Sequence, residues 1–167
     1  MPNQFIISVE EYIASALLNG EMTQKGKRIH LAIDISLLIL GVVTLFYGRY
    51  VIACASIGAV IGGNLFPFLL RKIYVPWMLK KHYEKYSNIK KPISASVENE
   101  GIKFESTDGA NNVLKWLDIY SWRENNFLLL IYLAPNIYNI VPKRIETEGF
   151  PLQELRQRLL DNVGNAI

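Results

Sequence analysis

Few side chains in this sequence have the types and spacing that chemistry needs. The 167-residue chain holds two histidines, His30 and His82, and one cysteine, Cys54. The histidines lie 52 positions apart, and neither belongs to a carboxylate motif. Cys54 sits in an apolar run with no partner for an intrachain disulfide, so it reads as packing rather than as a nucleophile. No phosphate-binding loop, G-x-S-x-G or metal-ligand spacing occurs. The sequence predicts a non-enzymatic protein with no cofactor and no metal.

The remaining candidates are binding groups. Lys143 and Arg144 follow Pro142 at the end of a predicted strand. They are placed either to grip a phosphate or carboxylate or to stand in a solvated loop. Between positions 71 and 91, Arg71, Lys72, Lys80, Lys81, Lys85, Lys90 and Lys91 face Glu84 alone, a net charge of +6. Bases so close together suit anionic lipid headgroups, each adding about 1 kcal/mol near such a surface, although simple membrane topology asks for the same residues. Residues 92–167 carry a net −3, which argues against nucleic acid as a partner, because phosphate attraction needs a basic face. Trp116 and Trp122 are an even number of positions apart; on one continuous strand they would share a face, and aromatic core is the expected role.

The elements that must hold these groups begin with a long apolar block. Ile29–Tyr47 and Tyr50–Leu70 are runs of 19 and 21 residues. As helices they would be roughly 28 and 31 Å long at about 1.5 Å per residue, the length that a hydrocarbon core of about 30 Å requires. What remains of so short a chain could not bury two such helices on every side. The block is therefore expected to be a transmembrane helical hairpin over 29–70 (helices 29–47 and 50–70), with "YGRY" as its tip and Arg49 in water. Lys25, Lys27 and Arg28 on one flank and the 71–91 bases on the other predict a multi-pass protein of the cell membrane with both termini cytoplasmic. A cleaved leader, with "KGKR" as its basic region and "ACA" at 53–55 as its cleavage site, fits less well, since a second apolar run follows directly. Asp34 is the acid inside the block. It is either a functional intramembrane carboxylate or an interfacial one satisfied by water or a nearby base. In the second run Gly58 and Gly62 form G-x-x-x-G, and Ala55, Ala59 and Gly63 form an adjoining stripe. Both let another helix approach closely: the first helix of the hairpin, at Gly41 and Thr44, or a second copy of the chain.

Around the block the sequence divides into three further segments. Residues 1–28 predict a short strand, Phe5–Val9, and an amphipathic helix from about Glu10, with the strand able to join the C-terminal sheet. Residues 71–91 predict a basic helical stalk with a kink at Pro76. Residues 92–167 predict five or six antiparallel strands. Turns are expected around Asn99 and Gly101, at Asp108–Gly109, at Asn125–Asn126 and at "APN". "FLLLIYL" is apolar at both alternate positions, so that strand should be covered on both faces. Leu152, Leu155, Leu159 and Leu160 recur at helical spacing and end the chain with a helix whose first turn Pro151 suits.

"SVEEY" at 8–12, the hairpin, "DIYSWRENNFLLLIY" beside Trp116 and "PKR" at 142–144 together resemble the bacterial YcxB-like membrane proteins. The resemblance implies an α+β fold: the membrane hairpin plus a pleckstrin-homology-like (PH-like) antiparallel sheet domain capped by the C-terminal helix. It implies no reaction. Two function classes remain open. One is a membrane-anchored PH-like interaction module that binds a protein partner or itself; the other is an anionic-lipid-binding or transport-accessory protein. The lipid bilayer is a partner in both.

Overall fold

A computed structural model describes residues 4–107, 109 and 111–167. The chain divides into two compact units, one made of Glu21–Met78 and the other of Met1–Gly20 with Leu79–Ile167.

The first unit is built on two long helices that follow, in sequence, a helix of the second unit. Helix α1 spans Val9–Asn19, α2 Gln24–Phe46 and α3 Tyr50–Leu69. The turn between α2 and α3 is set by Gly48, whose φ of 69° lies in the left-handed region. Gly48 N–H donates to Leu45 O (3.0 Å) and Arg49 N–H to Thr44 O (2.8 Å), which satisfies the last carbonyls of α2 in a Schellman motif. Arg49 is the N-cap of α3. The helices run antiparallel and approach closely at Gly41, where an added Cβ would lie 3.2 Å from Ile57 and 3.5 Å from Ser56. Both helices are long and apolar enough to cross a membrane. Their large side chains stand outward, Phe46 being 87% and Val51 84% exposed, so neither helix is the core of a soluble domain.

Helical bonding continues from α3 to Lys85 through a π turn at Leu70–Tyr74 and then α4, Val75–Lys85. Pro76 excludes the carbonyl four residues back, at Lys72, and a wider turn just before it accommodates the ring. The expected helical stalk to residue 91 stops at Lys85 with a single 3-10 turn, Ser87–Lys90, after it. Lys91 is extended (ψ 140°), as Pro92 demands of the residue before it.

The second unit contains two antiparallel sheets. The first has the order β1-β2-β3-β4: β1 Gln4–Phe5, β2 Ile93–Val97, β3 Gly101–Ser106 and β4 Asn111–Lys115. The second has the order β5-β6-β7: β5 Ser121–Glu124, β6 Leu128–Ala134 and β7 Ile137–Pro142. The N-terminal strand does join the C-terminal sheet, with Gln4 opposite Ser94. It is shorter than the predicted Phe5–Val9, because Ser8 is already the N-cap of α1. Helix α5, Leu152–Asn162, ends the fold, with Pro151 as its N-cap. The fold class is therefore mixed helix and sheet, as the sequence predicted.

β6 explains why both sheets and α1 are needed. Leu128–Tyr132 are each at most 3% exposed. Alternate side chains point to opposite faces of a strand. Leu129 and Ile131 enter a core with Trp122, Val141, Leu155 and Leu159. Leu128, Leu130 and Tyr132 pack against Leu18 and Ala14 of α1. Trp116 and Trp122 are both core residues, 6% and 2% exposed, but they do not share a strand, since a 3-10 turn at Trp116–Asp118 separates β4 from β5. Each indole finds its own acceptor, Asn99 O for Trp116 (3.0 Å) and Gly164 O for Trp122 (2.8 Å).

Gly101 differs from its expected role. It is the first residue of β3, opposite Lys115, and its φ is not positive. Glycine is required there by proximity: an added Cβ would lie 2.0 Å from Leu114 O and 2.7 Å from Leu114 C. The predicted Asp108–Gly109 turn lies between Ser106 and Asn111, where Gly109 has a φ of 80°; Asp108 itself falls outside the described residues. Gly101→Ala should destabilise the sheet domain by several kcal/mol, on the order of 4. Urea unfolding of the full-length protein in detergent, read by the buried indoles, measures this, and a loss under 1 kcal/mol would disprove the close approach.

Candidate functional site

The residues that sequence reasoning singled out in the sheet domain meet as an ion-paired clasp. Ser8 accepts the Glu11 N–H (3.1 Å) while the Glu11 carboxylate accepts the Ser8 N–H (2.8 Å), a capping box at the start of α1. The same carboxylate accepts from Arg144 Nε (2.7 Å), and Arg144 also donates to Ile6 O (2.8 Å). "SVEEY" and "PKR", distant in sequence, are thus in direct contact. Glu11 holds the Arg144 guanidinium above its usual pKa by hydrogen bonding, against burial. Lys143 lies beside it in sequence and pairs elsewhere, with Glu124 (3.0 Å), which also accepts from Arg156 (2.9 Å). Burial pushes the Glu124 carboxyl up, but the bonds from Arg156 and Lys143 outweigh it and leave the group below its usual 4.5. Arg123 donates to Leu18 O (3.1 Å), placing a cation at the C-terminal end of α1, where the helix dipole favours it.

Sequence reasoning missed a cavity. About 390 Å3 of open space lies against Ile7, Tyr12, Ile89, Lys91, Ile93, Phe104, Ser106, Asn112, Tyr138, Asn139 and Ile140. Its lining belongs to the start of β2, the end of β3, the start of β4 and the middle of β7. Helix α5 lies at the other ends of β2–β4, where Arg158 reaches Asn99 (3.3 Å). The floor is apolar. Ser106, Asn112, Tyr138 and Asn139 make no side-chain hydrogen bond among the described residues. Burial, with the neighbouring Tyr138, raises the Tyr12 hydroxyl above its usual 10.0, so it stays neutral, 3.1 Å from His82 Nδ1. Volume, apolar floor and few polar groups are those of a ligand site. A signal was present in the sequence: Asn139 interrupts "IYNIV", and asparagine is disfavoured in strands.

Residues 97–157 match the family model of YcxB-like proteins. The chain carries a YcxB-like domain. The match runs from the end of β2 into α5 and takes in the Trp116 region, Lys143 and Arg144, while "SVEEY" and the hairpin lie outside it. No curated protein and no solved structure matches the chain. Within the matched residues Lys143 and Arg144 are engaged by carboxylates, whereas Ser106, Asn112, Tyr138 and Asn139 border the cavity without a side-chain hydrogen bond among the described residues.

The hairpin unit gathers a different set. Asp34 accepts from Asn64 Nδ2 across the two helices (3.0 Å) and lies 3.1 Å from His30 Nδ1. Asn64 also donates to Val60 O (2.8 Å). In apolar surroundings each group satisfies another. Gly63 borders the same polar recess. An added Cβ at Gly58, Gly62 or Gly63 would meet nothing within 4 Å, and Ala55 and Ala59 are exposed; the close helix contact is instead at Gly41. Lys72 lies over the Phe68 ring (5.3 Å), and Lys80 and Lys81 are exposed on α4.

Two outcomes are expected of the clasp. Arg144→Ala should lower stability by about 1 kcal/mol. Glu11→Ala should cost more, because the capping box is lost as well, and the double variant should cost less than the sum of the two. Additive losses in urea unfolding would show that the pair is not coupled. Glu124 has a folded pKa below the unfolded one, so its contribution is present above about pH 4.5 and is lost as pH falls through the folded value. The stability gap between wild type and Glu124→Gln, roughly 1 kcal/mol at pH 7, should close on acidification below pH 4.5; a gap independent of pH between 7 and 3 would contradict the pairing.

Proposed function

We propose that this protein is a membrane-anchored interaction module with no catalytic activity. The hairpin is its anchor in the cell membrane, and the YcxB-like domain is a cytoplasmic binding domain of PH-like type. Two antiparallel sheets followed by a C-terminal helix support the PH-like reading. The flanking bases, Lys25, Lys27 and Arg28 before the hairpin and Arg71 and Lys72 after it, support cytoplasmic termini. The observation that carries the binding role is the cavity, where four polar side chains that make no side-chain hydrogen bond among the described residues surround an apolar floor. The motif bases Lys143 and Arg144 serve this reading as structure, since Glu124 and Glu11 hold them.

A second reading, an anionic-lipid-binding or transport-accessory protein, draws on Lys72, Lys80 and Lys81 beside Tyr74 and Trp77, rings suited to headgroup depth.

Topology and partner are tested together in cells. In a Cys54→Ser background, a membrane-impermeant maleimide should label Arg49→Cys and spare Glu148→Cys until the membrane is opened. A photo-crosslinking residue at position 112 should then yield a discrete adduct heavier than the protein itself. Labelling of position 148 in intact cells would overturn the cytoplasmic placement of the domain, and absence of any adduct would overturn the binding role. Should the protein in vesicles pull down anionic and neutral lipid alike, the second reading fails.

A further inference from the structure

The cavity is bordered by a strand edge whose backbone is unpaired among the described residues, and this defines what can fill it. β7 is an edge strand of the second sheet. Lys143 N–H donates to Phe127 O (2.9 Å), continuing the register in which Val141 faces Leu129 and Asn139 faces Ile131. Bonds to a neighbouring antiparallel strand recur at every second residue. Val141 and Asn139 therefore bond β6, while Tyr138 and Ile140 turn their N–H and C=O groups to the open side. Neither makes any other backbone bond among the described residues. Both residues line the cavity. Two donors and two acceptors in alternation, about 7 Å apart along an edge, complement another extended backbone, and strand addition is an established mode of peptide recognition.

We propose that the cavity takes an extended polypeptide segment of a partner protein, which adds as a strand to β7 and seats an apolar side chain on Ile93 and Phe104. The proposal rests on the interaction-module reading and names its ligand class. Asn112, on the facing wall, has a carboxamide that makes no hydrogen bond among the described residues and can meet peptide groups that the strand leaves unbonded. Pro142 and the bulge at Tyr132–Ala134 bound the available edge at its two ends, so only about three residues of the segment pair directly.

The test pans a random linear heptapeptide display library on the full-length protein in detergent micelles. Enriched peptides should share an apolar residue. A synthetic peptide of the enriched sequence should slow hydrogen exchange at the Tyr138 and Ile140 amides by at least tenfold, leaving Asn139 and Val141 unchanged. N-methylation of the peptide at alternate residues should weaken binding at least tenfold in one register and leave it intact in the other. Ile140→Pro, which removes an outward N–H on an edge strand where proline is tolerated, should weaken binding to the same degree. If that variant does not fold, the N-methyl series on the wild-type protein decides. No enrichment, or enriched peptides that leave both amides unprotected, overturns strand addition. A cross-linked partner found at position 112 alongside that result would keep the interaction module and reject this ligand; with no partner either, both fall.

Discussion

The sheet domain is organised by a single strand that cannot meet water on either side. β6 presents apolar side chains at every position from Leu128 to Tyr132, and all are buried. One face is closed by the first sheet and α5, the other by α1. Burying a side chain of this size contributes about 1.5–3 kcal/mol, so leaving either face open would forfeit several such terms. This requirement brings the N-terminal segment into the same compact unit as residues 79–167, although the whole hairpin lies between them in sequence.

The polar contacts follow from that packing. Once α1 lies on β6, its two ends need partners, since helix termini carry unsatisfied backbone groups. Ser8 and Glu11 cap its start, with Arg144 on the same carboxylate; Arg123 meets the carbonyls at its end. Of the motif residues of the YcxB-like resemblance, Ser8, Glu11, Arg123 and Arg144 therefore read as fasteners of α1. Tyr83 adds another, donating to Ile7 O from α4 (2.8 Å).

The hairpin obeys a different constraint. With few buried residues of its own, it depends on close backbone approach at Gly41 and on polar groups that answer one another, Asp34 with Asn64 and His30. An isolated carboxylate in an apolar span would be strongly disfavoured. Paired across the helices, it fixes their register, as a contact of high directionality does in a surface otherwise made of interchangeable methyl groups.

Much of this was legible from residue order, because the signals are local. Run length marked the two apolar helices, the glycine of "YGRY" marked their turn, alternation and turn residues marked β2–β7, and leucine spacing marked α5. The doubly covered strand could also be inferred from "FLLLIYL". Tertiary structure decided what depends on neighbours remote in sequence. Gly101 is needed for the approach of Leu114 and not for a turn; Trp116 and Trp122 reach the core from separate segments; Lys143 and Arg144 are neutralised by Glu124 and Glu11. The cavity, too, exists only where residues of β2, β3, β4 and β7 come near one another. Hydrophobic periodicity and turn chemistry act within a few residues, so the chain spells them out; charge pairing, close approach and unfilled hydrogen bonds depend on three-dimensional proximity, which no local pattern encodes.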